Sequence, residues 1–307
     1  MNDTPASRWI QRGDAILGTS DFDKFGAASS LSADGLVLAV GAPYSNGGGV
    51  GEDSGSVQVY EYVDGNSYQP RGPAINGTAL GDTFGWTVSL SNDGEILAVG
   101  APKLNGFGYV KIYKYDGEKY NEVIHLSESI IYVGELFGFS VSLSGDGKSL
   151  AVGRPLADFG GSVTTYSIDA ETGNSTDTES FSGDNVFNSE LGYSVSVSDD
   201  GNVLAAVDRY FSQVQVYQVS QYQRVCTMIG EIVAVSGDST RVAVRNQTSA
   251  TVSVFHIDAA REECLQLGQA IPVSSFSPLS SDSYASADIL LSLSNDGHVL
   301  AVANPLN

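Results

Sequence analysis

Apolar and polar residues alternate at period two through much of this chain, and no long stretch keeps the 3.6-residue rhythm of a helix. Trp86-Thr87-Val88-Ser89-Leu90-Ser91 is representative, and this spacing predicts a strand with one buried face. Asn92-Asp93-Gly94 then supplies hairpin chemistry, because Asp and Gly tolerate positive φ. Ile96-Leu97-Ala98-Val99-Gly100 is nearly continuous in apolar residues, as expected of a strand covered on both faces. Alternation resumes in Val57-Gln58-Val59-Tyr60-Glu61-Tyr62, Val110-Lys111-Ile112-Tyr113, Val214-Gln215-Val216-Tyr217 and Val252-Ser253-Val254-Phe255, which predict third strands. Tyr68-Gln69-Pro70-Arg71-Gly72-Pro73-Ala74-Ile75 predicts a fourth, and its prolines suit an edge.

This four-strand unit recurs. Phe25-Gly26, Ser32-Ala33-Asp34-Gly35 and Leu38-Ala39-Val40-Gly41-Ala42-Pro43 return as Phe84-Gly85, Asp93-Gly94 and Leu97-Ala98-Val99-Gly100-Ala101-Pro102. They return again as Phe137-Gly138, Asp146-Gly147 and Leu150-Ala151-Val152-Gly153-Arg154-Pro155. Weaker copies run through Leu191-Gly192 and Asp200-Gly201, Ile229-Gly230 and Asp238-Ser239, and Ala287-Asp288 and Asp296-Gly297. The turn residue falls at 35, 94, 147, 201, 239 and 297. That period suits a four-stranded propeller blade plus loop insertions. The predicted fold is all-β, a propeller of four-stranded antiparallel blades with six copies visible, forming one domain over 1–307.

The ends are out of phase. Residues 9–16 copy 68–75, so an N-terminal fourth strand is expected to close the last blade and leave no broken edge. That blade lacks a third strand, and two readings stay open. Either the chain is a fragment of a longer propeller, with seven blades in the full protein, or it is a six-bladed ring with a three-stranded last blade.

The Phe-Gly…Gly-Ala-Pro wording resembles the FG-GAP repeat of integrin α-subunit propellers. The resemblance implies adhesion and ligand binding, and in many integrin repeats a Ca²⁺ loop with spaced carboxylates. The turns here keep Asp-Gly but offer one or two carboxylates, whereas Ca²⁺ takes six to eight oxygens. They read as structural hairpins, and no cofactor is expected. Asp21-Phe22-Asp23 is the densest acidic pair and the one place where a metal, Ca²⁺, is considered. Arg12-Gly13-Asp14 matches the strand slot of Arg71-Gly72-Pro73, so it is read as strand register rather than an integrin-binding motif.

A net charge of −21 argues against nucleic acid or an anionic membrane as partner. No apolar run reaches the length of a membrane span. Asn76, Asn174 and Asn246 head Asn-x-Ser/Thr sequons in predicted loops, as does Asn2 at the terminus, which favours secretion or the cell surface. Cys226 and Cys264 precede first strands of neighbouring blades; a bridge and a pair of half-buried thiols both stay open, the thiols being the plainer reading. His125, His256 and His298 do not cluster, and no nucleophile elbow or phosphate loop occurs.

Function is therefore expected in the loops on the face opposite the Asp-Gly turns, where regular strands give way to variable segments. These loops hold Glu52, Asp53, Asp82, Glu135, Asp158, Asp184 and Glu190, with Tyr44, Phe107, Tyr132, Phe159, Tyr210 and Phe211. Acids and aromatics together suit a glycan or a protein ligand. The leading expectation is a non-catalytic binding or adhesion module. The alternatives are a glycosidase- or lyase-type enzyme using two loop carboxylates, and a scaffold subunit of a larger assembly.

Overall fold

The computed structural model describes residues 11, 13–63, 67–103, 107–127, 134–157, 160–183, 188–273 and 290–303. It is a β-propeller. Blade 1 contains β1 (Ala28–Leu31), β2 (Val37–Ala42), β3 (Ser56–Val63), β4 (Ser67–Pro70) and β5 (Ile75–Asn76). Blade 2 contains β6 (Thr87–Leu90), β7 (Ile96–Ala101), β8 (Tyr109–Tyr115) and β9 (Tyr120–Ser127). Blade 3 contains β10 (Ser140–Leu143), β11 (Ser149–Arg154), β12 (Ser162–Asp169) and β13 (Asn174–Ser182). Blade 4 contains β14 (Leu191–Val197), β15 (Val203–Asp208), β16 (Gln213–Gln218) and β17 (Gln223–Ile229). Blade 5 contains β18 (Ile232–Val235), β19 (Arg241–Asn246), β20 (Thr251–Asp258) and β21 (Glu263–Pro272), and a sixth sheet pairs β22 (Leu290–Leu293) with β23 (Leu300–Ala303). Sequential strands pair antiparallel within each sheet.

The first blade departs from the expected four strands. Arg71-Gly72-Pro73 interrupts the predicted fourth strand, so β4 and β5 pair separately with β3. Pro73 has no amide to offer the ladder, and Gly72 takes φ +88°. Of the expected closing strand at 9–16, residues 9, 10 and 12 lie outside the described residues, and residues 11 and 13–16 are not in a strand.

Hydrogen bonds within the Asp-Gly turns build the hairpins. In blade 1 the Ser32 hydroxyl donates to Asp34 (2.6 Å), and Asp34 accepts the Leu36 amide (2.9 Å). Ser32 Oγ accepts the Val37 amide that starts the second strand (2.9 Å). Ser144–Asp146, Ser198–Asp200, Ser236–Asp238 and Ser294–Asp296 repeat the arrangement.

The repeated glycines lie between blades. Gly100 lies one residue before the end of the second strand of blade 2, and a Cβ there would drive into the carbonyl oxygen of Gly138 in blade 3. Gly41 stands in the same relation to Gly85, and Gly153 to Gly192. The accompanying Phe84 and Phe137 are fully buried in the clusters between blades. First strands are also stitched by serines: Ser30, Ser89, Ser142 and Ser196 accept the amides of Leu90, Leu143, Val197 and Val235 at 2.9–3.0 Å.

Cys226 on β17 and Cys264 on β21 form a disulfide, with Cα atoms 5.9 Å apart. It joins the outer strands of blades 4 and 5 and decides against the two-thiol reading.

Gly100→Ala should lower stability by roughly 2–3 kcal/mol, because backbone rather than a mobile side chain blocks the added methyl; thermal melting followed by circular dichroism reads this. The turns also set an acid limit. Hydrogen bonds from Ser32 and the Leu36 amide hold Asp34 below its ordinary value. Burial opposes ionisation of Asp200, but Ser198, Asn202 and Ser239 outweigh it and bring it to about 2. A carboxyl with a depressed folded pKa stabilises the fold above its unfolded value and loses that contribution as pH falls through the folded one. Stability should fall as pH drops from about 4 toward 2, and Asp200→Asn should flatten that fall in an acid titration.

Candidate functional site

The first strands of all six sheets wall one central cavity of about 350 Å³. Its chemistry comes from a single column of the repeat, the residue that follows the aromatic–Gly pair. That column reads Ala27, Trp86, Phe139, Tyr193 and Glu231, and all five line the cavity at its loop-face end. Trp86 and Phe139 pack with ring centroids 5.5 Å apart, and Phe139 and Tyr193 at 5.0 Å. Tyr44 extends the row by an edge contact to Trp86 (6.4 Å). Lys24 lies over the Tyr44 ring at 4.9 Å, and Arg209 over Tyr193 at 4.6 Å. An aromatic arc therefore spans blades 1 to 4, and Glu231 of blade 5 stands on the remaining wall. Among the described lining residues Glu231 is the only acid, and none is Lys or Arg. Its Oε2 accepts the Gln247 amide (2.7 Å). Ser29, Thr87, Ser194 and Ser292 add hydroxyls to the wall.

The opposite end is crossed by side chains from the turns. Asp199 of blade 4 accepts the Asn92 amide of blade 2 (2.8 Å) and the Asn295 amide of blade 6. The intervening turns carry Gly145 and Gly237, where a Cβ would strike this cluster. Beneath the side chains a backbone chain runs from turn to turn, Asn92 N to Gly145 O (2.8 Å), Gly145 N to Asp199 O (3.0 Å) and Asp199 N to Gly237 O (3.1 Å).

The loop acid Asp82 is buried and bonded to Thr78, the Ala79 amide and Tyr109 (2.9 Å), with Lys103 at 3.2 Å. Burial works against its charge, but those partners prevail and keep its pKa low. Glu135 is buried against Arg154 (3.3 Å). Asp208 is buried, taking the Ser189 hydroxyl and the Glu190 amide (3.0 Å). Glu190 differs: burial raises its pKa, Arg209 opposes the rise and Asp208 adds to it.

The sequence-predicted loop residues are thus divided. Tyr44 packs on the lining residue Trp86, while Asp82 and Glu135 are buried in loop networks and do not line the cavity. Glu52 is exposed, and Asp53 sits at φ +53° in a turn whose carbonyl accepts the Thr83 amide. Phe107 is exposed, and Tyr210 packs edge-on against Phe211 (5.1 Å). Asp21 is exposed and Asp23 half-buried, and among the described residues no group of three or more His, Cys, Asp or Glu gathers for a metal. Asp158, Phe159, Asp184 and Tyr132 lie outside the described residues. Asn76, Asn174 and Asn246 fall at strand ends rather than in loops, with Asn76 and Asn174 exposed. Trp86, Phe139, Tyr193, Glu231 and Arg209 were not singled out from sequence. Reading down the column after the aromatic–Gly pair would have found the first four.

No family model matches the chain, and no curated protein matches it. Solved structures do. A provisionally named 6-phosphogluconolactonase from Bacteroides uniformis superposes with TM-score 0.63 at 9% identity, over 91% of this chain and 78% of that one. Another, from Bacteroides fragilis, gives TM-score 0.59 at 11% identity, over 91% and 77%. Hydrazine synthase of Kuenenia stuttgartiensis gives 0.58 at 16%, over 90% and 80%. At these identities the likeness shows the propeller fold alone. Two expectations, the non-catalytic adhesion module and the absence of enzymatic activity, are corrected to this extent: the fold does not single out adhesion, because structures sharing this ring include proteins named for catalysis. The physical reason is in the motif. Phe-Gly and Gly-Ala-Pro sit at the joints between blades, so they report packing and carry no information about adhesion. Among the described residues no helix is long and apolar enough to cross a membrane.

The Glu190 carboxyl should titrate above its ordinary 4.5 in a ¹³C-NMR pH series, and Arg209→Ala should move it higher still, since Arg209 is the group holding it down.

Proposed function

We propose that the protein is a hydrolase that opens a small cyclic ester of a sugar acid, a lactone, in the central cavity, with Glu231 as general base. The observation carrying this reading is the placement of Glu231, the only acid among the described residues of a wall otherwise apolar, aromatic and hydroxyl-bearing. A site of this kind, mostly apolar with few convergent polar groups, suits a small organic ligand. The lactonase names of two structural neighbours suggest the reaction class and supply no residue.

In this mechanism the Glu231 carboxylate takes a proton from a water molecule as its oxygen attacks the lactone carbonyl carbon. The wall hydroxyls donate to the carbonyl oxygen as it gains charge. The bond from that carbon to the ring oxygen then breaks, and the proton passes from Glu231 to the ring oxygen, leaving the open hydroxy acid. The aromatic arc holds the sugar ring by its less polar face. Glu190, pushed up by burial with Arg209 opposing the rise, is not among the lining residues and takes no part in these steps.

The same reading sets the protein in an oxidising compartment, secreted or at the cell surface. The disulfide between outer strands supports it, as do exposed sequons at Asn76 and Asn174.

Purified protein should open glucono-1,5-lactone faster than buffer, as read by a pH indicator, and Glu231→Gln should reduce kcat about 10²-fold or more with the circular dichroism spectrum unchanged. Turnover no faster than buffer, or full activity in E231Q, ends this reading.

A further inference from the structure

We infer that the cavity selects an uncharged, unphosphorylated ring substrate and rejects its phosphate ester. This rests on the lactonase reading of the same cavity but is tested by binding alone.

Four observations carry it. First, the wall holds a carboxylate and no cation: Glu231 lines it, and none of its described residues is Lys or Arg. Second, the far end holds another carboxylate, Asp199, whose described partners are two neutral amides. A phosphate dianion inside would meet a negative group at both ends. Third, Arg245 is buried with its Nε unpartnered but is not among the lining residues, and the other described cations of the loop face stand against other groups. Lys103 pairs with buried Asp82 (3.2 Å) and Arg154 with buried Glu135 (3.3 Å). Arg209 lies on the Tyr193 ring with Glu190 beside it, and Lys24 lies on Tyr44. Phosphate recognition calls for a guanidinium fork or ammonium turned to the ligand, and each of these groups already faces an acid or a ring. Fourth, the whole molecule carries −21, so the long-range field opposes entry of a dianion. What the cavity offers instead is an apolar lining that includes the largely buried rings of Trp86 and Phe139, the Tyr193 ring, and the hydroxyls of Ser29, Thr87, Ser194 and Ser292. Its volume of about 350 Å³ lies at the small end of ligand pockets, the size of a single substituted ring.

The probes are 1,5-anhydroglucitol, which cannot hydrolyse, and its 6-phosphate. Trp9 and Trp86 are the only tryptophans, so Trp9→Phe leaves fluorescence reporting on the cavity wall. The uncharged ring should quench Trp86 saturably, and the phosphate ester should bind roughly tenfold more weakly or worse in low salt. Added salt should narrow the gap, and so should Glu231→Gln, which removes one of the two opposing charges. Equal or tighter binding of the phosphate ester overturns the inference, and so does the absence of binding by either probe. The two readings fail separately. Selective binding of the uncharged ring without lactone turnover removes the hydrolase and leaves the selectivity, while turnover with preference for the phosphate ester does the reverse.

Discussion

Gly41, Gly100 and Gly153, each one residue before the end of a second strand, set a bare Cα against the carbonyl oxygen of the glycine that opens the next blade. This contact sets how closely neighbouring sheets approach, and the rest of the ring follows. At that spacing Phe84 and Phe137 fill the wedge between sheets completely. At that spacing, too, Ser30, Ser89 and Ser142 reach the first-strand amides of the following blade. A methyl group at the glycine would separate the sheets and break the serine rungs together, since both lie between the same pair of blades. The aromatic–Gly and Gly-Ala-Pro halves of the repeat are therefore two sides of one joint, which is why they recur together.

The cavity is a by-product of the joint turned to use. The residue after the opening glycine emerges at the loop-face end of the first strand in blades 1 to 5, so five neighbouring copies present five side chains to one mouth. Ala27, Trp86, Phe139, Tyr193 and Glu231 make that mouth lopsided, with an aromatic arc on one side and an acid on the other. At the opposite end the second residue of the Ser-x-Asp-Gly turn does the complementary work. That column alternates Asn92, Gly145, Asp199, Gly237 and Asn295. Large and small residues must alternate because the glycines leave room for Asp199 to receive amides from blades two steps away on either side. A symmetric scaffold thus acquires a direction, open at one end and crossed at the other.

Much of the architecture was legible in the sequence because its causes are local. Period-two alternation, the Ser-x-Asp-Gly hydrogen bonds and the apolar second strands depend on residues within about ten positions of one another. The split of blade 1's outer strand at Arg71-Gly72-Pro73 was half legible: the prolines marked an edge, but the break needed the missing amide and the positive φ of Gly72 together. The site was less legible because its members are distant in sequence and meet only when the ring closes. Loop acids such as Asp82 and Glu135 drew attention by charge, yet burial with Tyr109, Lys103 and Arg154 assigns them to holding loops in place. Trp86 and Phe139 read as ordinary strand residues, since nothing local separates an aromatic packed between blades from one on a cavity wall. The disulfide was undecidable for the same reason, because Cys226 and Cys264 approach only through the pairing of two blades.

The decay of the repeat toward the C-terminus takes on a physical sense in this light. In the slot of Gly41, Gly100 and Gly153, blades 4 and 5 carry Val207 and Arg245, so the bare-Cα joint is lost there. A ring built on that joint should be weakest where it is missing, and there the covalent link between β17 and β21 holds the outer strands of those same two blades. The same stretch supplies Glu190, Asp208, Arg209 and Glu231, and burial raises the pKa of Glu190 there. Departures from a local rule concentrate where function or strain requires them. Regular copies 1 to 3 give the ring its spacing and its aromatic wall, and the irregular copies 4 and 5, relieved of that duty by the disulfide, are free to place ionisable groups at the cavity.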